Sequence, residues 1–342
     1  MKRAGRLLER IVDRDNLRMA VHRALKGKRD RADAREFTAH LEANLPQMAE
    51  QISAGEFPLG RCVQFTIYDP KERLITAPCF AERVLHHAIM NVCEPWFERF
   101  LIDDTFACRR GKGRITALHR AMHFSHRFPV LLKLDIRKYF DSISHDVLKD
   151  RLERRFKDPQ LLQLLGRIID SYATAPGRGL PIGSLTSQHL ANFYLGWFDR
   201  FVKQSLGAAG YVRYMDDSVI WGDRSADLRD ALQRCEQFLA DDLWLAVKGR
   251  PGVARARHGF EFLGCRVYPD HLKLNRRSRA RFLAKLFELE TAYARSALDE
   301  RKLQQRATAL VAFTTAGGTR SWQFRTRVLQ RMPVSGQGAR TG

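Results

Sequence analysis

Two adjacent acids stand where a hairpin should turn. Tyr211-Val-Arg-Tyr-Met215 and Ser218-Val-Ile-Trp221 are short runs rich in β-branched and aromatic residues, joined by Asp216-Asp217, and such runs read as paired strands. Like charges at the tip of a largely apolar hairpin repel and desolvate each other, and a divalent cation is the usual remedy. Asp135 supplies a third carboxylate in the same setting, at the end of the apolar run Val130-Leu-Leu-Lys-Leu134, which reads as a buried strand. Strand ends bearing acids side by side make an oxygen-rich site for Mg²⁺, a hard ion that keeps waters and bridges to phosphates, with Mn²⁺ as its substitute. Three carboxylates, two metals and phosphate form a mechanistic set: one metal lowers the pKa of an attacking hydroxyl and the other steadies a leaving pyrophosphate. Asp241-Asp242, by contrast, ends a polar helix and reads as two solvated surface acids.

Charge points to the partner. The 342 residues include 59 Lys and Arg against 38 Asp and Glu, a formal charge of +21. From Lys273 onward the counts are 15 against 4, so more than half of the excess lies in the last fifth of the chain. Such concentration suggests a polyanion, most simply nucleic acid. With 44% hydrophobic and 28% charged residues the composition is globular, which excludes wholesale disorder. No apolar run approaches the ~18–20 residues that span a bilayer, and the charged N-terminus lacks the apolar stretch of a secretory signal. A cytoplasmic protein without a membrane partner is expected. Its six scattered cysteines, with no C-x-x-C pair, read as reduced.

Along the chain, residues 3–54 have helical periodicity. Residues 61–78 read as a hairpin around Asp69-Pro70-Lys71-Glu72, with Lys71 and Arg73 near its tip. Helices are expected at 81–100, 114–126, 145–156, 159–172, 187–204 and 226–239, and a second hairpin from strands 260–267 and 272–274. The remainder is basic and helical until Gly317. Helices and hairpins mix without regular βαβ alternation, so the expected class is α+β.

Tyr214-Met215-Asp216-Asp217 is similar to the Y-x-D-D box of reverse transcriptases, and it does not stand alone. Asp135-Ile-Arg-Lys-Tyr-Phe140-Asp-Ser-Ile resembles that family's first carboxylate motif. Leu180-Pro-Ile-Gly183-Ser-Leu-Thr-Ser187-Gln188 resembles the motif that opens the helix under template and incoming nucleotide. Phe262-Leu263-Gly264 resembles the primer-grip box, and the Lys71/Arg73 hairpin resembles the fingers that hold the triphosphate. Order and separations match from about residue 68 to 274.

The resemblance implies a right-hand polymerase. Residues 1–80 would form N-terminal helices and the fingers hairpin, 81–144 the first part of the palm, 145–180 further fingers, 181–268 the second part of the palm, 269–330 a basic helical thumb and 331–342 a frayed tail. It implies Asp135, Asp216 and Asp217 as catalytic residues, with Ile136 beside them in the metal set. Lys71, Arg73, Phe140, Gly183, Gln188 and Lys248 would meet the dNTP, Phe140 by clashing with a 2′-hydroxyl and Lys248 by protonating pyrophosphate. Arg114, Ile182, Ser184, Ser187, Tyr214, Met215, Leu263 and Gly264 would meet template RNA and cDNA primer. Arg276, Arg277, Arg279 and Arg281 would grip duplex phosphates without reading sequence.

Ile182-Gly183-x-x-x-Ser187-Gln188 departs from the Q-G-x-x-x-S-P form of retroviral and group II intron enzymes. It looks like the reverse transcriptases of diversity-generating retroelements, as does Ala107-Cys-Arg-Arg-Gly-Lys-Gly113. That group is error-prone at template adenines and works with a small basic accessory protein. An aliphatic Ile182 cannot make the hydrogen bond of the usual Gln, which lowers discrimination. Defence-associated, retron-like and group II intron-like enzymes remain open, as does a non-catalytic RNA-binding protein on the same fold. Other patterns read blandly. His119, His123 and His126 form a basic helix face without a matched acid or Cys for zinc. Gly111-Lys-Gly113 lacks P-loop spacing, and Ser187 lacks a His and Asp constellation.

Overall fold

A computed structural model describes residues 3–68 and 72–314 of the chain. Four helices open it: α1 Leu8–Val12, α2 Arg14–Ala24, α3 Ala32–Ala39 and α4 Leu41–Ser53. They bury Leu7, Leu8, Ile11, Leu17 and Val21, whose spacing puts them on inward faces. Asp13 caps α2 by accepting from the Asp15 and Asn16 amides. Asp158 ties this region to the rest, accepting from the amides of Leu7 at 2.7 Å and Leu8 at 3.1 Å.

The hairpin β1 Cys62–Ile67 and β2 Arg73–Pro78 follows, antiparallel from Cys62↔Pro78 to Ile67↔Arg73. Lys71 lies outside the described residues, as does the expected tail 331–342. Next come α5 Phe80–Glu98, α6 Arg114–Arg127, β3 Val130–Asp135, α7 Tyr139–Ser142, α8 His145–Glu153 and α9 Pro159–Asp170. Helix α10, Leu185–Arg200, ends in a π turn over Phe201–Ser205, then β4 Gly210–Tyr214, β5 Asp217–Gly222, α11 Ser225–Leu243 and β6 Val253–Arg255. The described chain closes with β7 Phe260–Phe262, β8 Cys265–Val267, β9 Leu272–Leu274, α12 Arg276–Ala294 and α13 Glu300–Thr314.

β4, β5, β3 and β6 form one antiparallel sheet in that order, with β3 between β5 and β6. Strand alternation divides its side chains between two cores. Leu132, Leu134, Tyr211 and Ile220 face the larger helical core, and Leu131, Val212, Val219 and Trp221 face a smaller one shared with α6 and β7–β9. By the same parity Lys133, Asp135 and Asp217 share the second face. The α+β expectation holds. The short elements α7 and β6 were not expected, and residues 260–267 are two strands, so the second hairpin is a three-stranded meander. Leu263 at φ +48° and Gly264 at φ +80° break the run, because two consecutive left-handed residues make a tight turn. No described helix is long and apolar enough to cross a membrane.

Candidate active site

The three acids meet because of strand register. Asp135 and Asp217 are direct cross-strand partners at the end of the β3–β5 ladder. Tyr214 pairs with Asp217 on the other side, leaving Met215-Asp216 as a two-residue turn. Met215 has a φ of +57°, a conformation that costs a non-glycine residue energy. Its carbonyl accepts from Arg213 Nη1 at 2.8 Å.

Burial pushes the Asp216 carboxyl up, nearby Asp135 adds to this, and the charges of Arg73 and Lys248 oppose it. Burial likewise pushes Asp217 up to about 6, against the pull of Lys133. Lys133 Nζ stands 3.2 Å from Asp217 Oδ1 and donates to the Glu261 carbonyl at 2.8 Å. The Asp217 oxygen is nevertheless buried without a hydrogen bond of good geometry. Lys248 donates from Nζ to Asp135 Oδ2 at 2.7 Å and from its amide to the Asp135 carbonyl at 2.8 Å. That side-chain bond raises the Lys248 pKa, so the lysine stays charged.

Two of the three carboxylates thus lean on lysines. Among the described residues no three His, Cys, Asp or Glu side chains are gathered closely enough to hold a metal ion. The donor chemistry still fits one: desolvated carboxylates on adjacent strands and an unmatched buried oxygen gain from a divalent cation. Ile136 is 3% exposed and bridges to Val247, so it offers main-chain atoms only.

The loop before α10 is fastened to the β1–β2 hairpin. Thr76 N donates to the Ile182 carbonyl at 2.8 Å. Gly183 sits at φ +122°, and a Cβ there would come within 2.9 Å of Ile75 Cγ2 and of the Thr76 carbonyl. Only glycine fits that approach. Gln188 is exposed one turn into α10, its Oε1 3.7 Å from Cys108 Sγ. Phe140 is half-buried, with its ring 5.7 Å from that of Tyr139, and its carbonyl accepts from Leu180 N at 2.9 Å.

Several residues expected to meet nucleic acid have partners within the chain. Ser184 and Ser187 are buried, and the Ser184 hydroxyl lies 3.1 Å from His86 Nδ1 and 2.9 Å from Thr186 Oγ1. The Ser184 hydroxyl thus has protein partners in place of water. Arg114 donates from Nε to the Leu263 carbonyl at 2.8 Å and from Nη2 to Cys265 Sγ at 3.3 Å. It holds the β7–β8 turn from beneath. Arg276, Arg277 and Arg279 are exposed in the first turn of α12, and Arg281 is half-buried.

Sequence reasoning passed over Lys133, although a lysine inside an otherwise apolar strand two residues before Asp135 was a visible signal. It also passed over the buried pair Arg213 and Asp199, joined at 2.6 Å with both side chains 0% exposed.

Protein YkfC of Escherichia coli K12 is 25% identical over 239 residues, 64% of this chain and 62% of that protein. Nuclear intron maturase 4, mitochondrial, of Arabidopsis thaliana is 27% identical over 160 residues, 44% of this chain and 20% of that protein. Group II intron-encoded protein LtrA of Lactococcus lactis is 26% identical over 140 residues, 39% of this chain and 23% of that protein. The chain therefore spans less than two thirds of each of these relatives. A solved structure of telomerase from Candida tropicalis with a fragment of telomeric RNA matches 84% of this chain and 59% of that one, at 9% identity and a TM-score of 0.47. The family model for reverse transcriptase (RNA-dependent DNA polymerase) matches residues 69–267, through the end of β8 and across all three acids. More than half of the chain lies inside that match, and the chain belongs to the reverse transcriptase family.

Proposed function

We propose that this protein is an RNA-directed DNA polymerase that copies an RNA template into cDNA from a primer and dNTPs. The observation that carries this is the register that sets Asp135 opposite Asp217, with Asp216 in the adjoining turn. The family generally uses divalent metal ions, and here Asp135, Asp216 and Asp217 would hold two Mg²⁺, which when bound activate a primer 3′-hydroxyl and steady the leaving pyrophosphate. The chain's own residues do the positioning, the main source of rate in such transfers. Arg73 faces the triphosphate, Phe140 bars a 2′-hydroxyl, and the Ile182-Gly183 loop carries the nascent pair. Lys248, held charged beside Asp135, would supply a proton to the leaving pyrophosphate.

Residues 269–330 act as the thumb on the duplex. We further read the enzyme as the error-prone one of a diversity-generating retroelement, on the strength of Ile182 where related enzymes carry Gln. A small basic accessory protein would then be recruited through shared RNA, since two basic surfaces repel. The relatedness to group II intron proteins favours a second reading, a faithful intron-type enzyme.

One experiment tests these readings. Mg²⁺-dependent dNTP incorporation is measured on a primed RNA template for the wild type, for Asp216→Asn/Asp217→Asn and for Ile182→Gln, and the products are sequenced. Incorporation by wild type and not by the double variant is expected, with errors at template adenines that fall in Ile182→Gln. Faithful wild-type products would leave the intron-type reading. Equal incorporation with and without the carboxylates would remove the polymerase assignment.

A further inference from the structure

The polymerase reading leaves one fully buried ion pair without a task. Arg213 of β4 and Asp199 of α10 meet in a two-pronged contact, Nε to Oδ1 and Nη2 to Oδ2, each 2.6 Å. The remaining donors of the guanidinium are also used. Nη1 donates to Asn192 Oδ1 at 2.9 Å and to the Met215 carbonyl at 2.8 Å, and Nη2 donates to the Asn192 carbonyl at 3.0 Å. All five N–H groups of an arginine are thereby engaged. Asp199 is held in turn by the hydroxyls of Tyr211 and Thr105, both at 2.7 Å. Asn192 Nδ2 donates to the Ala107 carbonyl at 2.9 Å.

A buried ion pair is a poor device for stability alone, because apolar residues of similar volume commonly do as well. What it supplies is geometry. Four of the five donors fix the guanidinium to α10, and the fifth reaches the carbonyl of the left-handed residue directly before Asp216. The same solution recurs elsewhere in the chain. Leu263, at φ +48°, has its carbonyl held by Arg114, and Trp244, at φ +51°, has its carbonyl held by Arg178 Nη1 at 3.1 Å. Non-glycine residues in the left-handed region persist only where their surroundings over-determine them, and in these three turns an arginine does so.

We propose that Arg213 is a positioning residue. Locked to α10 by Asp199 and Asn192, it holds the Met215 carbonyl and so sets where the Asp216 carboxylate stands relative to Asp135. Its effect on chemistry rests on the polymerase reading; the clamp itself does not. Helix α10 begins at the Gly183 loop, so the network refers the catalytic turn to the element that bears the nucleotide loop.

The test uses Arg213→Met/Asp199→Asn, which removes both charges together and leaves no lone buried ion, and Arg213→Lys, which keeps the charge but has three donors in place of five. Amide hydrogen exchange across residues 212–218 of the whole protein, without substrate, reads the clamp. Exchange there is expected to accelerate about tenfold or more in the double variant, while β3 and the melting temperature stay near wild type. Unchanged exchange overturns the proposal whether or not the protein polymerises. In primer extension kcat is expected to fall about a hundredfold in the double variant and less in Arg213→Lys, with KM for dNTP nearly constant, because ångström displacements cost on that scale. A double variant with wild-type kcat makes the pair merely structural and also overturns it. If the double variant fails to fold, Arg213→Lys decides alone: wild-type exchange and kcat there refute the clamp. An inactive wild type counts against the polymerase reading and leaves the exchange result to judge Arg213.

Discussion

Phe140 follows Lys138, whose φ is +44°, so the chain turns sharply out of β3 and presents the ring near the end of the strand that carries Asp135. Its half-buried position lets an edge of the ring act as a wall. Phe140→Ala is expected to raise ribonucleotide incorporation relative to dNTP by about tenfold or more, since a steric barrier removed costs only discrimination. Competitive incorporation of rNTP and dNTP checks it, and an unchanged ratio would remove the gate. At this scale the sequence is uneven in what it discloses. Asp135, Asp216 and Asp217 were legible because acids at apolar strand ends have few bland explanations. Arg213 was not, because it sits inside the very run Tyr211-Val-Arg-Tyr-Met215 that announces a strand, and its partner lies in a different element, 14 residues earlier at the end of α10. Arg114 shows the converse. Its charge says nothing about direction, and the side chain turns inward to the Leu263 carbonyl.

Among the elements, α12 is built against its own electrostatics. Arg276, Arg277 and Arg279 crowd its first turn, where the helix dipole favours acids. A polyanion laid across that end relieves the conflict. Replacing all three by Gln is expected to weaken RNA–DNA hybrid binding uniformly across sequences and to reduce the slope of log K against log salt by about 2–3, near 0.9 per lost phosphate contact. Titrations at several salt concentrations would show it, and an unaltered slope places the duplex elsewhere. Helix and strand periodicity read most elements to within a few residues. It was read too coarsely at residues 260–267. The apolar alternation there changes phase at Leu263-Gly264, falling on 260 and 262 before the left-handed turn and on 265 and 267 after it, and that shift together with Gly264 is the signal that separates β7 from β8. β6 is three residues long and gains its identity only from lying beside β3.

For the whole molecule, buried histidines tie stability to pH. Burial holds His86 down to about 3 and His189 down to about 4, against an ordinary value near 6.5. Below pH 6.5 the unfolded chain binds protons that the native chain refuses, so stability is present above that pH and is lost as pH falls toward 4. For His86 the loss at pH 5 is on the order of 2 kcal/mol. Urea midpoints at pH 7.5 and pH 5 check this, and His86→Gln should flatten the difference; identical slopes in both proteins would exclude His86 as a source. The placement of β3 has a different consequence. The strand bearing Asp135 is flanked by β5 and β6, which end at Gly222 and Arg255. During synthesis it therefore emerges with both edges bare, an apolar ribbon open to pairing with any neighbour until the later strands are made. High contact order of this kind slows folding. It also makes the candidate site indivisible, since a nascent chain halted before Asp216 has no second carboxylate to set against Asp135.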